Sequence, residues 1–214
     1  TFCVIPRIRG RHRSRSLPDI VAEVRHLLDQ GAREINLISQ DSTYYGRDRL
    51  RSRSGSLASP EQLRATGEAL PEDAATLSTL LHALNAIPGD FWIRLLYTHP
   101  AHWTDTLIHT IAACPKVVRY IDLPLQHIHD NLLERMRRET SRRQIEDLIR
   151  RLRTGLPGVT LRTTFIVGFP GETEPCFQAL RQFVHDTRFE RLGVFTYSPE
   201  AGTLAARMAG QIPP

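Results

Sequence analysis

Lysine is nearly absent from this chain of 214 residues: Lys116 is the only one, and arginine supplies the rest of the basic charge. Such a skew often accompanies a GC-rich genome and by itself assigns no function. Cysteine is also scarce, with three residues at positions 3, 114 and 176. That number and spacing exclude a disulfide framework and point to a reducing compartment, most simply the cytoplasm. There is no start methionine and no signal peptide. No apolar run approaches the ~18 residues of a membrane helix, so no membrane span is implied. What remains is 41% hydrophobic and 24% charged, the balance of a soluble globular protein. The length suits one domain with a sizeable core.

The net charge is +5 and the pI about 9.5, with the positive charge unevenly spread. Arg7, Arg9, Arg11, Arg13 and Arg15 fall close together, and Arg47, Arg49, Arg51 and Arg53 form a second cluster. Both clusters suit a phosphate backbone or an RNA-rich partner, and both equally suit solvated loops. Cys114 and Cys176 lie in apolar helical contexts and read as packing residues.

The apolar positions Ile20, Val21, Val24, Leu27 and Leu28 predict a helix over 17–30, capped by Ser16 and stopped by Gly31. Further helices are expected at 74–86, 105–113, 130–137, 142–154 and 174–187. Short apolar runs at 34–39, 91–97, 119–125, 159–167 and 191–197 predict strands. Residues 47–71, rich in Arg, Ser, Gly and Pro, read as an insertion or mobile loop. Strand and helix in alternation call for an α/β fold on a parallel sheet, either a barrel or a doubly wound sheet.

In such barrels functional groups gather at the C-terminal ends of strands. Those ends read Ser39-Gln40-Asp41, Tyr97-Thr98-His99-Pro100, Pro124-Leu125-Gln126-His127 and Gly168-Phe169-Pro170-Gly171-Glu172-Thr173. Polar residues at successive ends form a convergent ring suited to a ligand. In the last segment two glycines permit close backbone approach, and a helix N-terminus offers free N–H groups. An ordinary strand-to-helix turn has the same composition. His99, His127 and His129 are metal ligands by type, but without zinc-site spacing or acidic neighbours in sequence they do not read as a metal site.

Cys3 leads at once into Val4-Ile5-Pro6 and then into Arg9-Gly10 and Ser14-Arg15. A lone cysteine is ordinarily a small packing residue. This stretch, however, resembles the segment just after the cluster loop of the radical S-adenosylmethionine (SAM) methylthiotransferases. Thr164 through Thr173 resembles the fifth-strand segment of that family. Ile121-Asp122-Leu123-Pro124-Leu125-Gln126-His127, together with Leu133-Glu134-Arg135-Met136-Arg137-Arg138, resembles the fourth. Phe195-Thr196-Tyr197-Ser198-Pro199 with Gly202-Thr203 resembles the sixth. One subfamily modifies an adenosine in transfer RNA and typically carries Gly-Gln-Asn and Pro-Val-Gln-Ser-Gly at two strand ends. Here Ser39-Gln40-Asp41 and Pro124-Leu125-Gln126-His127 are closer to the subfamily that modifies an aspartate of a small-subunit ribosomal protein.

The resemblance implies a partial (βα)6 TIM-like barrel whose first strand precedes the chain. The core domain would span 1–198, with the insertion at 47–71, and residues 199–214 would begin a linker to a further domain. It implies a 4Fe–4S cluster with Cys3 as one of three thiolate ligands, the other two lying upstream, and Arg7 or Arg9 favouring the thiolate. It implies SAM as cofactor, cleaved by one electron to a 5′-deoxyadenosyl radical, and a second cluster on an N-terminal domain. Ser39, Gln40 and Asp41 would line the SAM site. Gln126 and Arg162 would reach ribose hydroxyls or the methionyl carboxylate, although Arg162 opens its strand and equally suits an ion pair. Gly168 and Gly171 would lie against adenine. Implied partners are a ribosomal protein, RNA through the arginine clusters, and an electron donor. As the fragment this reading makes it, the chain alone would be inactive. A tRNA-modifying enzyme, another radical SAM enzyme and a non-catalytic RNA-binding module stay open.

Overall fold

The computed structural model describes residues 2–49 and 75–213. Among these, five strands form one sheet: β1 (Glu34–Leu37), β2 (Trp92–Leu95), β3 (Val117–Asp122), β4 (Thr160–Val167) and β5 (Arg191–Thr196). They stand in the order of the sequence, and every neighbouring pair is parallel. A doubly wound sheet reverses its order at a switch point. This one does not, so each crossover adds a strand on the same side and the sheet takes the arc of a partial barrel.

The helices are α1 (Ile5–Arg9), α2 (Leu17–Asp29), α3 (Leu77–Asn85), α4 (Asp105–Ala113), α5 (Asp130–Arg135), α6 (Arg142–Gly155) and α7 (Glu174–Thr187). Their starts are set by local chemistry. The Ser16 hydroxyl accepts from the Asp19 amide at 3.2 Å, and Thr104 accepts from Leu107 at 3.1 Å. Thr76 with Thr79 and Ser141 with Gln144 form reciprocal capping boxes. The helix α1 is not foreseen by the sequence patterning, because its single turn buries nothing. Strands run one to three residues shorter than the apolar runs predict. Of the expected insertion, Arg47–Arg49 forms a short 3-10 turn and residues 50–71 lie outside the described residues.

The two faces of the sheet differ. On β4, Leu161, Thr163 and Phe165 are buried and alternate with half-buried Arg162, Thr164 and Ile166. The buried set joins the helical layer in one core with Leu81, Leu84, Ile93, Leu95, Ile121 and Leu152. The opposite face is polar. Glu34 pairs with Arg94 at 2.6 Å, Arg94 lies over the Tyr120 ring at 4.9 Å, and Arg162 pairs with Asp122 at 2.5 Å. Strands of a parallel sheet are usually apolar on both sides. A charged inner face marks the concave side of the barrel as a lumen.

A smaller apolar cluster sits at the strand C-terminal ends: Leu132, Met136, Phe169, Cys176 and Ala205, with Phe2, Ile166, Tyr197 and Met208 against it. Phe169 meets Phe2 edge-on at 6.3 Å and Tyr197 at 5.2 Å. It holds the N-terminal segment and the tail on the same loop, and so fixes where Cys3 stands. No helix among the described residues is long and apolar enough to cross a membrane.

Candidate functional site

Cys3 is half-buried, unpaired, and opens on a cavity of about 300 Å³. Pro6, Arg7, Arg137 and the segment Gly202–Leu204 form the rest of its lining. Arg7 is anchored by donating from Nη1 to the Gly202 carbonyl at 2.9 Å. Gly202 is required there: its φ is +81°, and a Cβ would stand 3.2 Å from that same Nη1. Arg137 also has a left-handed backbone, φ 54°, rare for a side chain of its size. Two guanidiniums beside one thiol make the cavity electropositive. Cys114 and Cys176 are buried in the two apolar clusters.

The loops after β1 and β2 are clasped together by Asp41. Its Oδ1 accepts from the Thr43 amide at 2.9 Å and from the Thr43 hydroxyl, and its Oδ2 meets His102 Nδ1 at 2.5 Å. Ser39 Oγ accepts from the Asp41 amide at 3.0 Å. Thr43 Oγ1 in turn accepts from the His99 amide at 3.1 Å. Gln40 is exposed at the tip of the loop. The fold thus gives His99 the acidic neighbour that the sequence spacing does not show, and it adds His102. The ligand atoms of Asp41, His99 and His102 lie within 4.8 Å of one another. Both carboxylate oxygens are already bonded, and Arg47 donates to the His102 carbonyl at 3.0 Å. The set therefore reads as a hydrogen-bonded clasp rather than a cation site.

Burial raises the Asp41 pKa, but the His102 hydrogen bond and charge, Thr43 and His99 outweigh it, and the net shift is downward. A carboxyl lowered in the folded state stabilises the fold above its unfolded pKa, and that stability is lost as pH falls through the folded value. We therefore expect Asp41→Asn to flatten the acid limb of stability against pH below about 4, measured by urea unfolding.

Around β3 and β4 the predicted residues divide. Gln126 has φ 74°, and its backbone bridges to Phe165, accepting from Ile166 and donating to Thr164, both at 2.8 Å. It prolongs the sheet past β3. Arg162 is an ion-pair partner: Asp122 Oδ1 accepts from it at 2.5 Å, while Asp122 Oδ2 accepts from the Tyr97 amide at 3.0 Å. Tyr97 is held in a left-handed conformation, φ 56°. His127 Nδ1 accepts from the His129 amide at 3.0 Å, leaving Nε2 to donate to Glu172 at 3.2 Å. The other oxygen of Glu172 accepts from the Gly168 amide. Gly168 has open space at its Cα, with φ +73°. Gly171 does not face open space. Its amide donates to Gly210 at 2.8 Å, and a Cβ there would stand 2.8 Å from Arg135. On this side Gly171 is packed against the chain's own tail at Gly210. Arg138, between these loops, donates from Nη2 to the Pro124 carbonyl at 2.6 Å. A second cavity, of about 270 Å³, lies in the outer layer between α6 and α7, away from the strand ends.

A family model described as the radical SAM superfamily matches residues 1–184. The ribosomal protein uS12 methylthiotransferase RimO of Opitutus terrae is 58% identical over 212 residues, 99% of this chain and 43% of that protein. The protein of the same name from Akkermansia muciniphila is 53% identical over 99% of this chain and 45% of its own length. The chain thus spans less than half the length of these relatives. Among solved structures, the radical SAM methyltransferase TsrM from Kitasatospora setae superposes with a TM-score of 0.60 at 18% identity, covering 86% of this chain and 30% of that one. Streptococcus suis SuiB bound to S-adenosylmethionine gives 0.54 at 13% identity, covering 95% and 38%. These two carry the fold alone.

Proposed function

This chain belongs to the radical SAM superfamily, and we propose that it forms the core domain of a RimO-type methylthiotransferase. The full-length enzyme would place a methylthio group on the β-carbon of an aspartate in ribosomal protein uS12. What carries the proposal is 58% identity to a RimO protein over 99% of this chain. The strand-end segments Ser39-Gln40-Asp41 and Pro124-Leu125-Gln126-His127 support this branch over the tRNA-modifying one.

The site suits the group this chemistry needs. Cys3 opens on the electropositive cavity with Arg7 and Arg137, and an iron–sulfur cluster held by thiolates is anionic. Cys3 would be one ligand, with the further thiolates supplied by the longer protein. When bound, a 4Fe–4S cluster supplies the single electron that cleaves the sulfonium of SAM. The protein's own part is positional. Arg7 holds the Gly202 turn over the thiol. Asp122 fixes the Tyr97 amide, and Glu172 fixes the Gly168 turn at the mouth. The Asp41 clasp binds the β1 and β2 loops to each other. A reducing cytoplasm, an electron donor and a ribosomal protein substrate complete the reading, and the exposed arginines of residues 9–13 would face the substrate's RNA-rich surroundings.

The test uses the full-length protein, reconstituted anaerobically with iron and sulfide, with SAM and dithionite. The expected product is uS12 carrying one methylthio group on an aspartate, read by mass spectrometry, alongside 5′-deoxyadenosine. Modification of a tRNA adenosine with uS12 untouched would move the chain to the other branch. Salt-sensitive RNA binding without iron uptake would replace the enzyme with a binding module.

A further inference from the structure

The lumen carries a level row of charge. Asp122 on β3, Arg162 on β4 and Arg191 on β5 are register partners on neighbouring parallel strands. Such partners share one face of the sheet, here the concave one. The row holds two guanidiniums and one carboxylate. Like charges facing each other on adjacent strands are destabilising, so Arg162 beside Arg191 is costly unless an anion joins them. The one carboxylate is already fully bonded. Asp122 Oδ1 accepts from Arg162 at 2.5 Å, and Oδ2 accepts from the Tyr97 amide at 3.0 Å. The ion pair is also lopsided, with the Asp122 side chain 1% exposed and that of Arg162 38%. The carboxylate lies behind the guanidinium, and the cation alone fronts the lumen.

The other titratable groups in the field of Arg162 are the phenols Tyr120 and Tyr97. Arg191 is exposed and donates to the Glu190 carbonyl at 3.0 Å; among the described residues it makes no ion pair. Because β4 runs past the end of β3, the row stands level with the C-terminal end of β3. Above it the same face of β5 continues with Gly193 and exposed Phe195. No left-handed φ demands a glycine at 193. A Cβ there would meet Thr164 Oγ1 at 3.8 Å and Phe195 at 3.9 Å, both ordinary contacts. What the glycine provides is an open step between the charged row and the aromatic rim, as a strand glycine does where a ligand comes close.

We propose that Arg162, seconded by Arg191, holds the side-chain carboxylate of the aspartate to be modified and so sets the specificity of the site for an acidic residue. The proposal rests on the RimO-type reading for the identity of the substrate. In aspartate the β-carbon is bonded directly to the carboxyl carbon. A carboxylate seated on a preorganised guanidinium fork therefore fixes the reacting carbon as well. Asparagine offers the fork one acceptor oxygen and no charge, so the same row discriminates against it.

The experiment uses the full-length, cluster-reconstituted protein with SAM present. Calorimetric titration measures binding of uS12 and of uS12 carrying asparagine in place of the modified aspartate. Wild type should prefer the aspartate form by about tenfold or more, the worth of a charge-assisted hydrogen bond. Arg162→Met should lose that preference, Arg162→Lys should regain part of it, and Arg191→Met should lose a smaller share. SAM affinity, titrated separately, should hold in all three. Arg162→Met leaves Asp122 buried without its cation; if it fails to fold, the double variant Asp122→Asn with Arg162→Met removes both charges, and Arg191→Met breaks no ion pair. Equal losses for the two forms of uS12 would make Arg162 a strut of the barrel and overturn the proposal. So would an unchanged preference, a wild type without one, or a loss confined to SAM. A preference that disappears with Arg162 while uS12 is never methylthiolated would uphold the receptor and defeat the proposed activity alone.

Discussion

Replacing Cys3 with alanine in the full-length protein is expected to abolish SAM cleavage, taking 5′-deoxyadenosine formation to background. A cluster short of one thiolate is not retained in its family geometry. Iron content should drop with the activity while the fold stays intact, because Cys3 is half-buried and belongs to neither apolar cluster. Cys114→Ala and Cys176→Ala are the controls. Both thiols are buried within the apolar clusters, and Cys176 Sγ accepts from the Thr173 hydroxyl at 3.2 Å. Their loss should cost stability and leave the iron in place. Retention of full iron and full cleavage by Cys3→Ala would remove the cluster from this cavity.

Phe165→Ala is expected to cause the largest loss of stability, about 3–5 kcal/mol in urea unfolding. The ring is fully buried on β4 and meets Phe189 at 5.9 Å and Phe183 at 6.3 Å, both edge-on. It also sits where the Gln126 bridge joins the sheet. Removing it therefore leaves a large void directly below the mouth. Phe165→Leu keeps most of the volume and should cost much less. Equal losses for the two variants would mean that volume is not what the site needs.

The order of elements was legible because each strand is a short apolar run bounded by turn residues, and α2, α3, α4 and α6 each carry a side-chain cap. The ends of α4 and α7 fall where the apolar periodicity puts them. The arc of the sheet was not legible from pattern alone. Strand order is a tertiary property, and β-strands read alike in a barrel and in a doubly wound sheet. Among site residues, the pairing of Arg162 with Asp122 was open in sequence because β4 extends well beyond β3. Its third residue therefore stands level with the end of β3. The part played by His102 was missed for the opposite reason. Nothing in His-Pro-Ala-His names a partner on another loop, and Asp41 reaches it only after both strands are in place. At Gly171 the sequence could not say which neighbour demands the glycine, because a positive φ and a close contact look the same whether the neighbour is a nucleoside or the chain's own tail.

The apolar cluster at the mouth has a mechanical consequence. Phe2 on one side and Ala205 with Met208 on the other share Phe169, and Gly202–Leu204 form one wall of the Cys3 cavity. The beginning and the end of the chain are therefore fastened by one rivet, and a tug on either would be transmitted to the thiol within a few residues. Hydrogen exchange would register it as linked protection: slackening the tail by Met208→Gly should speed exchange at the amides of residues 3–8 while the strands keep theirs.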